Sequence, residues 1–275
     1  AAINSTVSLW STLILNIADL SRLAAQQREQ ILGQLVGVPL PQLAGMAVGV
    51  LGASAVQAKS GKASWLPTDL FQFWSPWASV VGGVLIMVTL LALNIGANII
   101  PPANDFMNLS PDRLRWRWCA YGTIAFAVAS CPFYLFYSAE GFAYRFLGGY
   151  GMATGAIFGV MATDYYILRG GHLDLDDLYK SAPGQGVYAY CHGHNWRAAL
   201  AVLAGIALPL PAWTADLVGA APLSLGWRIF EKTSWFVAAI VSAVVYEVAC
   251  LLAPPPVYGE GPKNSDDAQC ESETC

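Results

Sequence analysis

Leu85–Asp105 reads LIMVTLLALNIGANIIPPAND, inside a longer run, residues 70–104, in which 35 consecutive positions carry no Asp, Glu, Lys or Arg. A helix needs only about 20 apolar residues to cross the hydrocarbon core of a bilayer. The run is therefore read as a membrane span with residues to spare, a helix from about Pro76 to Ile100 closed by Pro101-Pro102. Working outward, charge-free or nearly charge-free windows recur along the chain. They predict an all-α membrane protein with seven transmembrane helices, at about 1–19, 37–58, 76–100, 116–137, 142–168, 196–215 and 233–253. Pro39 and Pro41 suit the opening of the second, because proline has no N–H to leave unsatisfied in a first turn. Cys131-Pro132 is expected to break the fourth. The fifth carries Gly148, Gly149, Gly151, Gly155 and Gly159, small residues that let helices approach closely in lipid. The polar, acidic stretch 254–275, opening Pro254-Pro255-Pro256, reads as a disordered cytoplasmic tail.

Composition agrees with that reading. Of 275 residues, 56% are hydrophobic and 12% charged, about half the charged share of a soluble domain. A soluble enzyme is excluded first. The net charge of −4 leaves nothing basic enough to follow a nucleic-acid backbone, so no nucleic-acid partner is expected. The six cysteines show no paired spacing, hence neither a disulfide framework nor a CxxC metal signal. Counting cations on alternate sides of the seven spans puts nine on one side and five on the other, which accounts for all fourteen. The positive-inside bias places the richer side, and with it the tail, in the cytoplasm. The opening Ala-Ala-Ile-Asn has neither an initiator Met nor a leader pattern, so the chain is expected to be a piece of a longer protein.

Polar groups inside spans are expensive in lipid, and each is a candidate for function. Asp19 ends the first span three residues before Arg22, a spacing at which a helix pairs the two, so a structural ion pair stands against a gating role. Asp164 sits in Thr-Asp-Tyr-Tyr with Arg169 nearby, open to gating or to simple anchoring by interfacial tyrosines. Glu247 interrupts the last span, as a proton relay or as a carboxyl held protonated against a neighbour helix. Asn94 and Asn98 lie four apart on one helix face and must meet protein or a water-filled cavity. They serve either a bond between helices or a ligand. Trp10 is an interface-belt residue, a core filler or a flat platform for a planar solute. His172, His192 and His194 cluster beside Cys191 in one loop, but no distant ligand motif accompanies them, and no metal or cofactor is expected. No HExxH, nucleophile elbow or Walker sequence occurs, so the protein is not read as an enzyme.

Four ordered motifs resemble the nucleobase–cation symport-1 family, in particular its fungal Fur-type branch, which handles uracil, allantoin and uridine. Trp10-Ser-Thr-Leu-Ile-Leu-Asn16-Ile-Ala-Asp19-Leu-Ser-Arg22 resembles that branch's sixth span, and Asn94-Ile-Gly-Ala-Asn98 through Ala103-Asn104-Asp105 its eighth. Asp164-Tyr-Tyr-Ile-Leu-Arg169 and Asp177-Leu-Tyr179 are similar to its tenth span and the loop after it. Asn195-Trp-Arg-Ala198 is similar to the opening of the eleventh. The resemblance implies a LeuT-type transporter fold, here the second inverted repeat plus two C-terminal helices, spans six to twelve. It also implies that Trp10 and Asn98 occupy the positions of the family's aromatic stacker and amide reader. Stacking supplies affinity to any flat ring, while a carboxamide rejects rings with the wrong donor–acceptor order. Asn94 is then expected to bond a neighbouring span, leaving Asn94, Asp19 and Asp164 as helix-face or gating candidates.

The chain departs from the family pattern in places. Sodium-coupled members carry hydroxyl residues five and six positions before the amide, where Leu93 and Ala92 stand here. A hard cation needs oxygen ligands, so the proton is the expected coupling ion. The expected protein is a multi-pass plasma-membrane proton symporter for a nucleobase-like solute such as uracil, allantoin or uridine. Rival readings are a thiamine or nicotinamide-riboside carrier of a sister branch, and a truncated fragment that does not transport.

Overall fold

The computed structural model describes residues 2–22, 24–62, 64, 66–130, 145–178, 188, 190, 194–220 and 224–255. The Cys131-Pro132 break, Cys191, His192 and residues 256–275 of the expected tail lie outside them. The described residues are essentially all helical, and they divide into two compact units, one made of residues 2–15 with those from 145 onward and the other of those between 16 and 130.

The first helix, α1 (Ala2–Ser21), is patterned inside out. Asn4, Ser8 and Ser11, one helical face, are almost fully buried, while Ile3, Leu9 and Leu20 are exposed. Lipid solvates leucine as well as a protein core does, so packing and polar bonds, not apolar burial, choose the inner face. In the first unit α1 is followed by α7 (Leu147–Ala162), α8 (Leu175–Leu178), α9 (Trp196–Ala207), α10 (Leu210–Leu217), α11 (Leu225–Lys232) and α12 (Ser234–Leu252). Helices α7, α9 and α12 pack mutually around the small side chains of Ala156, Ala201 and Ala238. The glycines of α7 permit this. A Cβ at Gly155 would strike the carbonyl oxygen of Trp235, and one at Gly159 the carbonyl of Ala239 and the hydroxyl of Ser242. The α7 and α12 backbones therefore touch, as the glycine-rich window implied.

The second unit holds α2 (Gln27–Gly37), α3 (Pro39–Ser60), a 3₁₀ turn (Pro67–Phe73), α4 (Pro76–Leu93), α5 (Ile100–Leu109) and α6 (Trp116–Ala129). Ser75 caps α4, its side chain accepting from the Ala78 N–H, and Pro76 takes the first position, where a missing N–H costs nothing. Helix does not stop at Pro101-Pro102. A π-helical turn (Asn94–Ile99) links α4 to α5, and both prolines sit in the first turn of α5. Proline removes a donor and crowds the carbonyl four residues back. The wider turn, in which the Ile100 N–H reaches Ile95, accommodates both effects without ending the helix. Ala103 of α5 packs against Cys119 and Ala120 of α6, flanked by Ile99 and Met107.

Among the described residues three helical stretches are long and apolar enough to cross a membrane, Gln27–Ser60, Pro76–Leu109 and Ser234–Leu252. Trp196–Ala207 and Leu210–Leu217, bent by 47° at Pro209, make a fourth if the pair is one span. This is a membrane protein.

Candidate functional site

The π-turn between α4 and α5 brings together the two carboxamides singled out in the sequence. Asn98 Nδ2 donates to Asn94 Oδ1 at 2.8 Å, and Asn94 Nδ2 donates to the Leu90 carbonyl at 2.8 Å. Asn94 was expected to bond a neighbouring span, but its partners among the described residues lie on its own helix. The reason is local: at the start of the π-turn the Asn94 side chain folds back onto the Leu90 carbonyl, which also accepts the Asn94 backbone N–H, and meets the Asn98 amide one turn on. The result is a directed chain, Leu90 carbonyl to Asn94 to Asn98, that orients the Asn98 amide. Both side chains are exposed, and Asn98 Oδ1 makes no bond among the described residues, so it is free to accept.

Trp10 lies half-buried on α1, in the other unit. The helix around it is held by a ladder of polar bonds. Asn4 donates to Ser234 Oγ at 3.2 Å and accepts from the Trp235 N–H at 3.0 Å. Ser11 Oγ meets Thr154 Oγ1 of α7 at 2.8 Å, and Thr12 meets the Tyr150 hydroxyl. These bonds at 4, 11 and 12 bracket Trp10, so the rotation of α1 about its own axis is set on both sides of the indole.

Asp19 takes a different partner from the one its spacing implied. Its Oδ1 accepts from Asn104 Nδ2 of α5 at 2.9 Å, and no Asp19–Arg22 ion pair forms among the described residues. Asn104 Oδ1 in turn accepts from the Trp116 indole N–H of α6 at 3.0 Å, so within the second unit one carboxamide joins α5, α6 and the end of α1. Arg22 is exposed at the helix end, where water competes for its charge.

Asp164 is the most heavily engaged of the predicted residues. It lies in the first turn of a second π-helical segment (Thr163–Leu168) at the end of α7. Arg169 Nε donates to its Oδ2 at 2.8 Å, and the Tyr246 hydroxyl of α12 donates to its Oδ1 at 2.8 Å. Asn195 Nδ2 donates to the same tyrosine oxygen at 3.1 Å, while Asn195 Oδ1 caps α9 by accepting from the Ala198 N–H. The Arg169 guanidinium also donates to the Tyr190 hydroxyl at 2.8 Å and lies 4.7 Å over the Tyr188 ring. Burial, followed by the Asp164 charge, pushes the Tyr190 phenol up, and the Arg169 guanidinium partly offsets them. Arg169 is buried and Asp164 half-buried, and the pair ties this end of α7 to α12 as well as to its own turn. Sequence reasoning missed Tyr246 altogether. One tyrosine in an apolar run carries no positional signal, whereas Asn195 before the run 196–207 does read as a helix cap. Glu247, next to Tyr246, is half-buried on the same helix. Among the described residues no group of His, Cys, Asp or Glu is arranged to hold a metal ion.

Residues 1–238 match the sequence profile of the family described as permease for cytosine/purines, uracil, thiamine, allantoin. An allantoin permease of Bacillus subtilis is 31% identical over 256 residues, covering 93% of this chain and 50% of the relative. A purine-uracil permease of Arabidopsis thaliana is 32% identical over 246 residues, covering 89% and 41%. A uridine permease of Saccharomyces cerevisiae is 28% identical over 258 residues, covering 91% and 39%. The chain thus spans half or less of the length of these relatives. No solved structure matches it at a significant level. With a match that takes in all but the last 37 residues, the chain belongs to the nucleobase–cation symport-1 family of permeases for cytosine/purines, uracil, thiamine and allantoin.

Proposed function

We propose that the chain is the second-repeat half, with two further helices, of a LeuT-type carrier for a nucleobase-like solute such as uracil, allantoin or uridine. In this reading its seven spans cross the plasma membrane, the tail faces the cytoplasm, and solute uptake is driven by the proton gradient. The observation that carries the reading is the family match over residues 1–238, with relatives named for allantoin, purine and uracil, and uridine. The geometry of the π-turn supports it. π-helical turns inside otherwise regular helices frequently mark functional sites. Asn98 there offers a free carbonyl oxygen, oriented by Asn94, of the kind that accepts from a ring N–H. Trp10, on a helix whose rotation is set by flanking polar bonds, supplies the stacking face. Proton rather than sodium coupling follows from Ala92 and Leu93, which bring no side-chain oxygen. Thiamine, which the family's description includes, is the second reading.

Uptake of labelled uracil, uridine, allantoin and thiamine by the full-length carrier tests this. Trp10→Ala should weaken solute binding by about 1–3 kcal/mol while Trp10→Phe retains most of it. Asn98→Ser should reorder the solutes, and replacing sodium with choline at fixed pH should leave uptake unchanged. Unaltered uptake constants in Trp10→Ala and Asn98→Ser would reassign both residues to packing, and preferred uptake of thiamine would favour the second reading.

A further inference from the structure

Tyr246 lies outside every motif that carried the resemblance, on the last helix, yet its side chain is completely buried. Its ring fills the seam between α9 and α12 beside Ala201 and Cys250. A phenylalanine would fill that seam equally well, so the ring alone does not account for the hydroxyl. The hydroxyl donates to Asp164 Oδ1 at 2.8 Å and accepts from Asn195 Nδ2 at 3.1 Å. It thereby joins the end of α7, the first turn of α9 and the last two turns of α12 through one atom.

What it grips is a place where the α-helix has given up its own restraint. At the π-turn the Arg169 N–H bonds the Asp164 carbonyl, five residues back, at 3.0 Å. Wide turns of this kind are local departures from the regular ladder, and their shape depends on side-chain ties. Asp164 supplies two such ties, Oδ2 inward to Arg169 of the same turn and Oδ1 outward to Tyr246 of another helix. The inward tie closes the turn, and the outward tie fixes where the closed turn sits. We propose that Tyr246 is a positioning residue, its hydroxyl pinning the π-turn at the end of α7 to α12 and α9, so that α12 serves as the strut against which this end of α7 is held during transport. The strut itself stands on the contacts above; only its place in a transport cycle rests on the function proposed in the preceding subsection.

Two readouts on the full-length protein in membranes separate these layers. The first is the alkylation rate of Cys250 by a membrane-permeant maleimide, with the other cysteines replaced. Cys250 is buried one turn beyond Tyr246 in the same seam, so its labelling reports opening there. Tyr246→Phe should speed labelling by roughly tenfold, although it keeps the ring. Asp164→Ala should do the same, and Tyr246→Phe in the Asp164→Ala background should add nothing further. Labelling of Tyr246→Phe within twofold of the unaltered protein, or fully additive effects in the pair, would overturn the proposal. If Asp164→Ala does not reach the membrane, Tyr246→Phe alone decides. The second readout is solute uptake, where Tyr246→Phe should lower the maximal rate several-fold with KM unchanged. A raised KM at unchanged maximal rate would put Tyr246 in the solute site instead and overturn the positioning role. Absence of uptake by the unaltered protein would refute the transport reading while leaving the labelling result to judge the strut.

Discussion

Replacing Asn104 tests whether polar bonds hold the second unit together. Its carboxamide is 8% exposed and both ends are used, the amide donating to Asp19 at 2.9 Å and the oxygen accepting from the Trp116 indole at 3.0 Å. A hydrogen bond to a charged group is worth about 1.5–3 kcal/mol in water-soluble proteins and a neutral one about 0.5–1.5. Between membrane helices the measured average falls to about 0.6, because the separated helices find other partners. Asn104→Ala loses both bonds, one of them to the charged Asp19, so a loss of about 2 kcal/mol is expected. Trp116→Phe loses only the neutral bond and should cost about 0.6 kcal/mol. Asn104→Asp is the discriminating variant. It keeps the shape and the acceptor for Trp116, but sets a second carboxylate against Asp19, and like charges about 4 Å apart repel by about 4 kcal/mol at an effective dielectric of 20. The expected order of damage is Asn104→Asp, then Asn104→Ala, then Trp116→Phe. Denaturant titration in mixed micelles, followed by tryptophan fluorescence, measures it. Asn104→Asp no worse than Asn104→Ala would show that the Asp19 contact contributes nothing, and the hub would reduce to a packing contact.

Glycine substitutions should split by location. Gly155→Ala and Gly159→Ala force a Cβ into the α12 backbone and should cost about 1–3 kcal/mol, while Gly122→Ala, with open space around it, should be neutral or stabilising by up to about 1 kcal/mol. Thermal unfolding of the purified variants in detergent reads both, and equal shifts in the two classes would refute the close-approach account. On α11, burial and the Asp216 charge push the Glu231 carboxyl up, with Lys232 and Arg228 partly offsetting them. A carboxyl whose folded value lies above its unfolded one contributes stability below the unfolded value and loses it as pH rises through the folded one. Stability should therefore fall as pH rises just above the ordinary glutamate range, and Glu231→Gln should flatten that slope. An unchanged slope in the variant would assign the pH dependence to another group.

Much of the architecture was legible before any coordinates. A bilayer demands long helices with few or no charges, so the uncharged run 70–104 and the run 233–253, broken only by Glu247, announce a membrane protein by length alone. Motif order around Trp10, Asn98, Asp164 and Asn195 was enough to point to the family, because backbone-breaking and polar residues in lipid are too costly to recur without a use. Asn94 and Asn98 were also legible as a pair, since four residues of helix put them on one face whether the turn is α or π. What sequence spacing could not supply was the choice among partners that are equally near on paper. Arg22 is three residues from Asp19, yet Asp19 bonds Asn104, 85 residues away, because helix packing encloses that contact while Arg22 stays in reach of water. Asp164 and Tyr246, 82 residues apart, meet because glycines let α7 lie against α12, bringing into reach a hydroxyl that nothing in the local sequence marks. Local chemistry settles which groups need a partner in lipid; the approach of one helix to another, governed by side-chain size along the whole seam, settles which partner each receives.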